Sequence, residues 1–168
     1  MIASLAGYLG KYVLIIVNHT QHGKCIETAC RRNRIKAEFI HGKLSVAHQQ
    51  NAIQRLNDGE LNCLISTPVI DEGISVDNIK HIIYAAGYKS EIQVIQRVGR
   101  GKRKKTEGKN LLTIWDLADQ GNNRCEKNSR QRFSVYKQIT KQIEDVKLKS
   151  VINVARVIRG EVEIDNGD

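Results

Sequence analysis

The sequence has no apolar run approaching the ~20 residues that a membrane-spanning helix needs. Its apolar start, MIASLAGYLGKYVLII, has no basic segment ahead of it. The expectation is therefore a chain with neither a helical anchor nor a secretory leader. A single proline rules out a Pro-rich linker, and neither repeats nor low-complexity tracts occur. Aromatic residues are 5% of the chain, too few for a base-stacking surface, so a nucleic-acid partner would be held by its backbone. The four cysteines form no CxxC pair. His19, His22, Cys25 and Cys30 lie close together in HTQHGKCIETAC, but that spacing fits no structural zinc site and no second ligand cluster exists. No metal is expected, and the thiols read as reduced, intracellular ones. Cys63, inside the apolar NCLIS, reads as a small core residue.

What is present is a basic, apolar-cored chain. Hydrophobic residues make up 40%, and 168 residues fit one domain able to bury a core, with 120–168 as a helical extension. Twenty-seven Lys and Arg against eighteen Asp and Glu leave a net charge of +9, which favours a polyanionic partner. Short apolar runs alternate with helical patterns. KYVLIIV (11–17) is a β-branched run suited to a strand buried on both faces. IKAEFIHG, LNCLIST, KHIIYAA and NLLTIWDL supply four more strands. Helices are expected over the first ten residues, from about Gln21 to Arg34, and after a Ser45 cap with Ala47, Ile53 and Leu56 inward and Asp58-Gly59 as the stop. Two more are expected from Ser90 to Val98 and from Ser129 to Val146, the latter burying Phe133, Tyr136, Ile139 and Ile143. QGNNRCEKN reads as a polar loop, and the tail from Val151 as either a strand or a helical turn. This alternation means an open parallel α/β sheet, three layers deep, with ligands at the carboxyl ends of its strands.

Two stretches carry chemistry. In STPVIDEGISVDNI (66–79), a strand ends in Ser66 and Thr67, whose hydroxyls and amides can hold a phosphodiester, and Gly73, Ser75 and Asp77 follow. Alone, this is equally a loop with a turn glycine. QVIQRVGRGKRKK (93–105) places six cations in thirteen positions. Arg100 and Arg103 project three residues apart from a turn at Gly99, and a guanidinium fork grips phosphate oxygens in pairs. Alone, this is equally a solvated cationic helix end that complements the helix dipole.

Taken in order, the stretches resemble the second RecA-like domain of superfamily 2 helicases, over residues 11 to 119 or about two-thirds of the chain. YVLIIVNH looks like motif IV, STPVIDEGISV like motif V and QRVGRGKR like motif VI, whose usual form is QRxGRxGR. The closing WDLAD with the Ser-Arg-Gln-Arg helix is similar to bacteriophage DNA helicases of recombination and repair, of the UvsW kind. The resemblance implies that Arg100 and Arg103 act as arginine fingers on the ATP γ-phosphate, with Gln96 sensing it and Arg97 tying the motif to the opposite domain. It places Gly73 and Ser75 beside the nucleotide, and Ser66, Thr67, His41, Gly42, Asn18 and His19 along the nucleic-acid track. Three departures matter: Ser75 where an aspartate often meets the ribose, Lys102 for the second glycine of motif VI, and Gln49 where many members carry arginine.

A helicase ATPase needs a P-loop, and the nearest stretch here, GYLGKY, has the wrong spacing and Tyr12 where Ser or Thr would hold Mg²⁺. No DExH or DEAD box exists either. The reading is half a motor. It is the C-terminal motor domain of an ATP-dependent nucleic-acid (DNA) helicase or translocase, inside the cell and of phage origin, with ATP and Mg held mainly by a separate N-terminal RecA-like domain. The alternative is a stand-alone, non-catalytic nucleic-acid-binding or regulatory module of the same fold. In either case this chain alone is expected to be inactive and its nucleic-acid binding weak and salt-sensitive.

Overall fold

The computed structural model describes residues 1–68, 78–86, 113–117 and 123–139. In chain order the described elements are α1 (Ile2–Leu9), β1 (Val13–Ile16), α2 (Thr20–Arg32), β2 (Ala37–Ile40), α3 (Val46–Asn57), β3 (Cys63–Ser66), β4 (His81–Tyr84), β5 (Thr113–Asp116) and α4 (Asn123–Ile139). The five strands form one parallel sheet in the order β2-β3-β1-β4-β5. This is the open α/β sheet that the strand–helix alternation demands, with β1 and β3 buried at every position.

Strand alternation divides the core into two layers. Val13, Ile15, Cys63, Ile65, Phe39 and Ile83 point to one face and meet Ala3, Leu5 and Ala6 of α1 and Ile26 and Cys30 of α2. Leu14, Ile16, Ile40, Leu64, Ile82 and Tyr84 point to the other face and meet Ala52, Ile53 and Leu56 of α3 and Tyr136 of α4. Helix α2 crosses the first face closely enough that a Cβ on Gly23 would lie 2.3 Å from the Phe39 ring, so glycine is what lets the helix reach the sheet there.

Several expectations hold. Ser45 caps α3, its Oγ accepting from the His48 N–H at 3.3 Å. Gly59, at φ +73°, ends α3 with Gly59 N–H donating to Leu56 O and Glu60 N–H to Arg55 O. Cys63 is fully buried. Other expectations fail for identifiable reasons. Ile53 and Leu56 of α3 face inward as expected, but Ala47 is exposed and Gln49 and Ala52 complete the inner face. The polar stretch around Asn123–Asn128 is helix, not loop, because α4 begins at Asn123. On α4 Tyr136 is buried as expected, but Phe133 is 42% exposed and its neighbour Arg132, 2% exposed, takes the inner place. The helix expected over 90–98, Ile143 and the tail from Val151 lie outside the described residues.

Candidate functional site

The register aligns the strand ends. Ile16 pairs with Ser66 and Tyr84, Ser66 with Ile40, and Tyr84 with Asp116, so all five strands finish in one row. Every loop leaving that row opens on the carboxyl edge, where ligands bind in parallel sheets. Asn18 (half-buried) and His19 (exposed) follow β1, His41 and Gly42 follow β2, and Thr67 follows β3. Six of the expected site residues thus share one edge: Asn18, His19, His41, Gly42, Ser66 and Thr67. Gly73, Ser75, Gln96, Arg97, Arg100 and Arg103 lie outside the described residues.

The pair Ser66-Thr67 is not equivalent. Ser66 is 1% exposed and its Oγ donates to the Thr67 carbonyl at 2.5 Å. Thr67 is half-buried, and its N–H donates to Ile40 O at 3.4 Å, tying the β3 exit to the β2 exit. Thr67 is therefore the member of the pair that can meet a ligand.

The β2–α3 loop is held by a residue that the sequence marks only as a departure. Gln49 is 6% exposed, and its Nε2 donates to the carbonyls of Leu44 (2.9 Å) and His41 (3.4 Å). The His41 ring packs against Phe39 with centroids 5.3 Å apart, and its Nδ1 accepts from the Lys43 N–H at 3.3 Å. Neutral and internal, Gln49 fixes the loop carrying His41 and Gly42 without itself offering a phosphate contact.

At the β4–β5 end, Asp116 receives Arg132 through both oxygens, at 2.7 and 2.9 Å, and also the Tyr136 hydroxyl at 2.9 Å. Arg132 bonds Ser129 Oγ as well, and its guanidinium lies 4.9 Å from the centre of the Tyr84 ring. Burial works against the charge of Arg132, but the Asp116 carboxylate outweighs it and the net shift is upward. Burial, reinforced by the Asp116 charge, pushes the Tyr136 hydroxyl well above the usual phenol range. Sequence reasoning missed this cluster, since an arginine beside a phenylalanine gives no sign of being the buried member.

GYLGKY leads into β1 at the amino edge, with Lys11 Nζ donating to Gly59 O at 3.0 Å. A phosphate cradle leaves the carboxyl end of a strand, so this stretch is not one. The cysteine-histidine stretch does not converge either: Cys25 is exposed, while Cys30 is buried under α2 against Cys63.

Residues 2–105 match the family described as the helicase conserved C-terminal domain. The chain belongs to that family. As a helicase C-terminal domain it is 33% identical to the ATP-dependent DNA helicase uvsW of Enterobacteria phage T4, over 62% of this chain and 21% of that protein. The crystal structure of T4 UvsW superposes with a TM-score of 0.65 at 27% identity, covering 82% of this chain and 31% of that one. The ATP-dependent RNA helicase DBP3 of Lodderomyces elongisporus is 30% identical over 54% of this chain and 17% of its own length. The C-terminal domain of the DEAD-box protein Dbp5 superposes with a TM-score of 0.70 at 18% identity, covering 95% of this chain and 88% of that one. The fold is therefore the RecA-like one of helicase C-terminal domains. The chain spans about a fifth of the length of these curated relatives. Among the described residues no helix is long and apolar enough to cross a membrane.

Proposed function

We propose that this domain is the C-terminal half of an ATP-driven helicase or translocase acting on DNA, working against a P-loop domain supplied in cis or in trans. The observation that carries the reading is the level row of strand ends, which opens the loops bearing Asn18-His19, His41-Gly42 and Thr67 onto one edge. A strand backbone lying along that edge meets these groups, and Ser66 supports Thr67 from within. The relative at 33% identity is described as an ATP-dependent DNA helicase, which favours DNA over RNA.

ATP is the motor's substrate, and Gln96, Arg97, Arg100 and Arg103 bring amide and guanidinium donors suited to its phosphate oxygens, with Gly73 and Ser75 beside the nucleotide. None of these is a carboxylate, so Mg²⁺ is assigned to the P-loop domain. In the closed state Arg100 and Arg103 neutralise charge on the transferring phosphoryl group, and on opening the grip through Thr67 resets.

The test joins this chain to a P-loop helicase domain and measures ATP hydrolysis with single-stranded DNA or RNA as activator. Arg100→Ala and Arg103→Ala are each expected to lower stimulated turnover about a thousandfold, with folding intact by circular dichroism. Turnover unchanged in both rejects the finger assignment, and stimulation by RNA alone rejects DNA as substrate.

A further inference from the structure

The amino edge of the sheet, opposite the track, carries a row of cations that nothing above uses. Arg31 and Arg32 end α2, Arg34 and Lys36 form the turn into β2, and Lys11 and Lys80 enter β1 and β4; all six are exposed. The backbone carbonyl of Lys36 accepts from Asn62 N–H at 2.7 Å, and Lys80 N–H donates to Tyr12 O at 3.0 Å, so these residues run in strand order along one edge. From β2 to β4 is three strand spacings, roughly 14 Å.

Two acids, Asp58 and Glu60, flank Gly59 on this edge, but Asp58 accepts from Gln54 and Glu60 pairs with Arg55. Among the described residues Glu38 pairs with His48 and Arg55, Glu60 with Arg55, Glu126 with Arg130 and Asp116 with Arg132, and no ion pair reaches any of the six. Among the described residues the partners of Lys11 and Lys80 are neutral, the Gly59 carbonyl and the Tyr12 ring, which leave their charge in place. A helix dipole accounts for Arg31 and Arg32 in the last turn but not for the other four.

Arg34 adds an independent sign. Helices α2 and α3 end in the same backbone motif: Arg34 N–H donates to Arg31 O and Ile35 N–H to Cys30 O, just as Gly59 and Glu60 do after α3. The left-handed position is glycine in α3 (φ +73°) but arginine in α2 (φ +57°). A charged side chain thus occupies a conformation that glycine adopts without strain. It borders an open hollow of about 440 Å³ lined by Ser4, Gly7, Asn33, Ile35 and Asn62.

We propose that this amino edge is a second nucleic-acid contact, which takes the phosphate backbone of a duplex arm while the carboxyl edge holds the strand being tracked. Duplex is preferred to single strand because Tyr12 at this edge lies half-buried beneath Lys80, and the described residues offer no exposed ring there as a stacking platform. A duplex presents about one charge per 1.7 Å of axis, enough along this row to meet every cation.

The experiment measures binding of the 168-residue chain to a labelled blunt duplex by fluorescence anisotropy across a salt series. Arg31→Gln/Arg34→Gln/Lys36→Gln is compared with Lys127→Gln/Arg130→Gln/Lys137→Gln on α4, which removes the same charge. The edge variant is expected to bind at least about tenfold more weakly, with a log–log salt slope shallower by about two to three, since each lost phosphate contact is worth about 0.9. The α4 variant is expected to stay within about threefold of the unmodified chain. Equal losses in the two variants would reduce the effect to net charge and overturn the proposal, as would an edge variant that binds duplex normally. An edge variant that keeps duplex binding but loses binding to poly-glutamate reassigns the row to an acidic protein and likewise overturns it. Neither readout involves ATP, so failure here leaves the motor reading standing.

Discussion

Replacing Arg132 by methionine is expected to be among the most damaging single changes outside the hydrophobic core. The side chain is 3% exposed and donates three hydrogen bonds, two to the Asp116 carboxylate and one to the Ser129 hydroxyl. Its removal leaves Asp116 with only the Tyr136 hydroxyl. Breaking a buried ion pair from one side costs about 3–5 kcal/mol, because the surviving charge is left uncompensated. The Asp116 side chain keeps 18% exposure, so water can reach it and Arg132→Met belongs near 3 kcal/mol. Asp116→Leu strands the guanidinium, which is far less accessible, and belongs near 5 kcal/mol. The double variant removes both charges and leaves two neutral hydroxyls, of Tyr136 and Ser129, without these partners, a cost of about 1–3 kcal/mol. The two single changes are therefore strongly non-additive. Thermal denaturation followed through Trp115, the single tryptophan and the neighbour of Asp116, reads each step. At about 2–4 °C per kcal/mol for a chain of this size, the singles should lower Tm by roughly 6–20 °C. Singles that lose less than about 1 kcal/mol each, or a double that is simply their sum, refute the reasoning.

Gly23→Ala sets a helix-propensity gain of about 1 kcal/mol against overpacking of about 1–3 kcal/mol, because the new Cβ would sit 2.3 Å from Phe39. Denaturant unfolding should show a net loss that shrinks or reverses in a Phe39→Leu background; a gain in the native background would show that the ring moves freely. Tyr136 stays protonated in the fold at pH values where an unfolded phenol ionises, so its contribution is full below about pH 10 and is lost as pH rises further. Tyr136→Phe should therefore flatten the alkaline fall in stability and leave the neutral and acid limbs parallel to the unmodified chain. Thiol labelling with peptide mapping should modify Cys25 in the native state, while Cys30 and Cys63 react only on unfolding. The Cys63 thiol is held protonated by its hydrogen bond with Cys30 and by burial, and rapid native labelling there would contradict that packing.

The strands were legible because four- to seven-residue apolar runs between turn residues leave a parallel sheet as the economical arrangement, and the cap at Ser45 and stop at Gly59 follow local chemistry. On α3 the sequence shows Ile53 and Leu56 as inward but not Gln49, which is polar by type and buried by circumstance, its amide satisfied by two carbonyls of the preceding loop. On α4 Tyr136 is inward as the pattern indicates, but Arg132 takes the place expected for Phe133 because Asp116 receives it, which the helix's own sequence cannot show. Phe133 is left outside beneath Lys137, whose Nζ lies 4.7 Å from the ring centre. At the candidate site the order of the loops was readable, but the difference between Ser66 and Thr67 was not. It depends on Ser66 falling level with Ile16 and Ile40 in the ladder, where its side chain is enclosed.

Ion pairing within the fold changes what a net charge of +9 means. As composition it suggests only a polyanionic partner of some kind. Among the described residues the cations divide by their partners. Arg55, Arg130 and Arg132 are engaged by carboxylates of this chain, two of them on the helices that flank the second core layer and one inside it. Their charge is cancelled within the fold, and their contribution is to stability and position. The cations of the amino edge have no such partner, and one of them stands in a backbone conformation that glycine would hold with less strain. Surface lysines and arginines left unpaired singly are ordinary. A row with no carboxylate partner among the described residues, along one sheet edge, is the pattern expected when the counter-charge is supplied by another molecule.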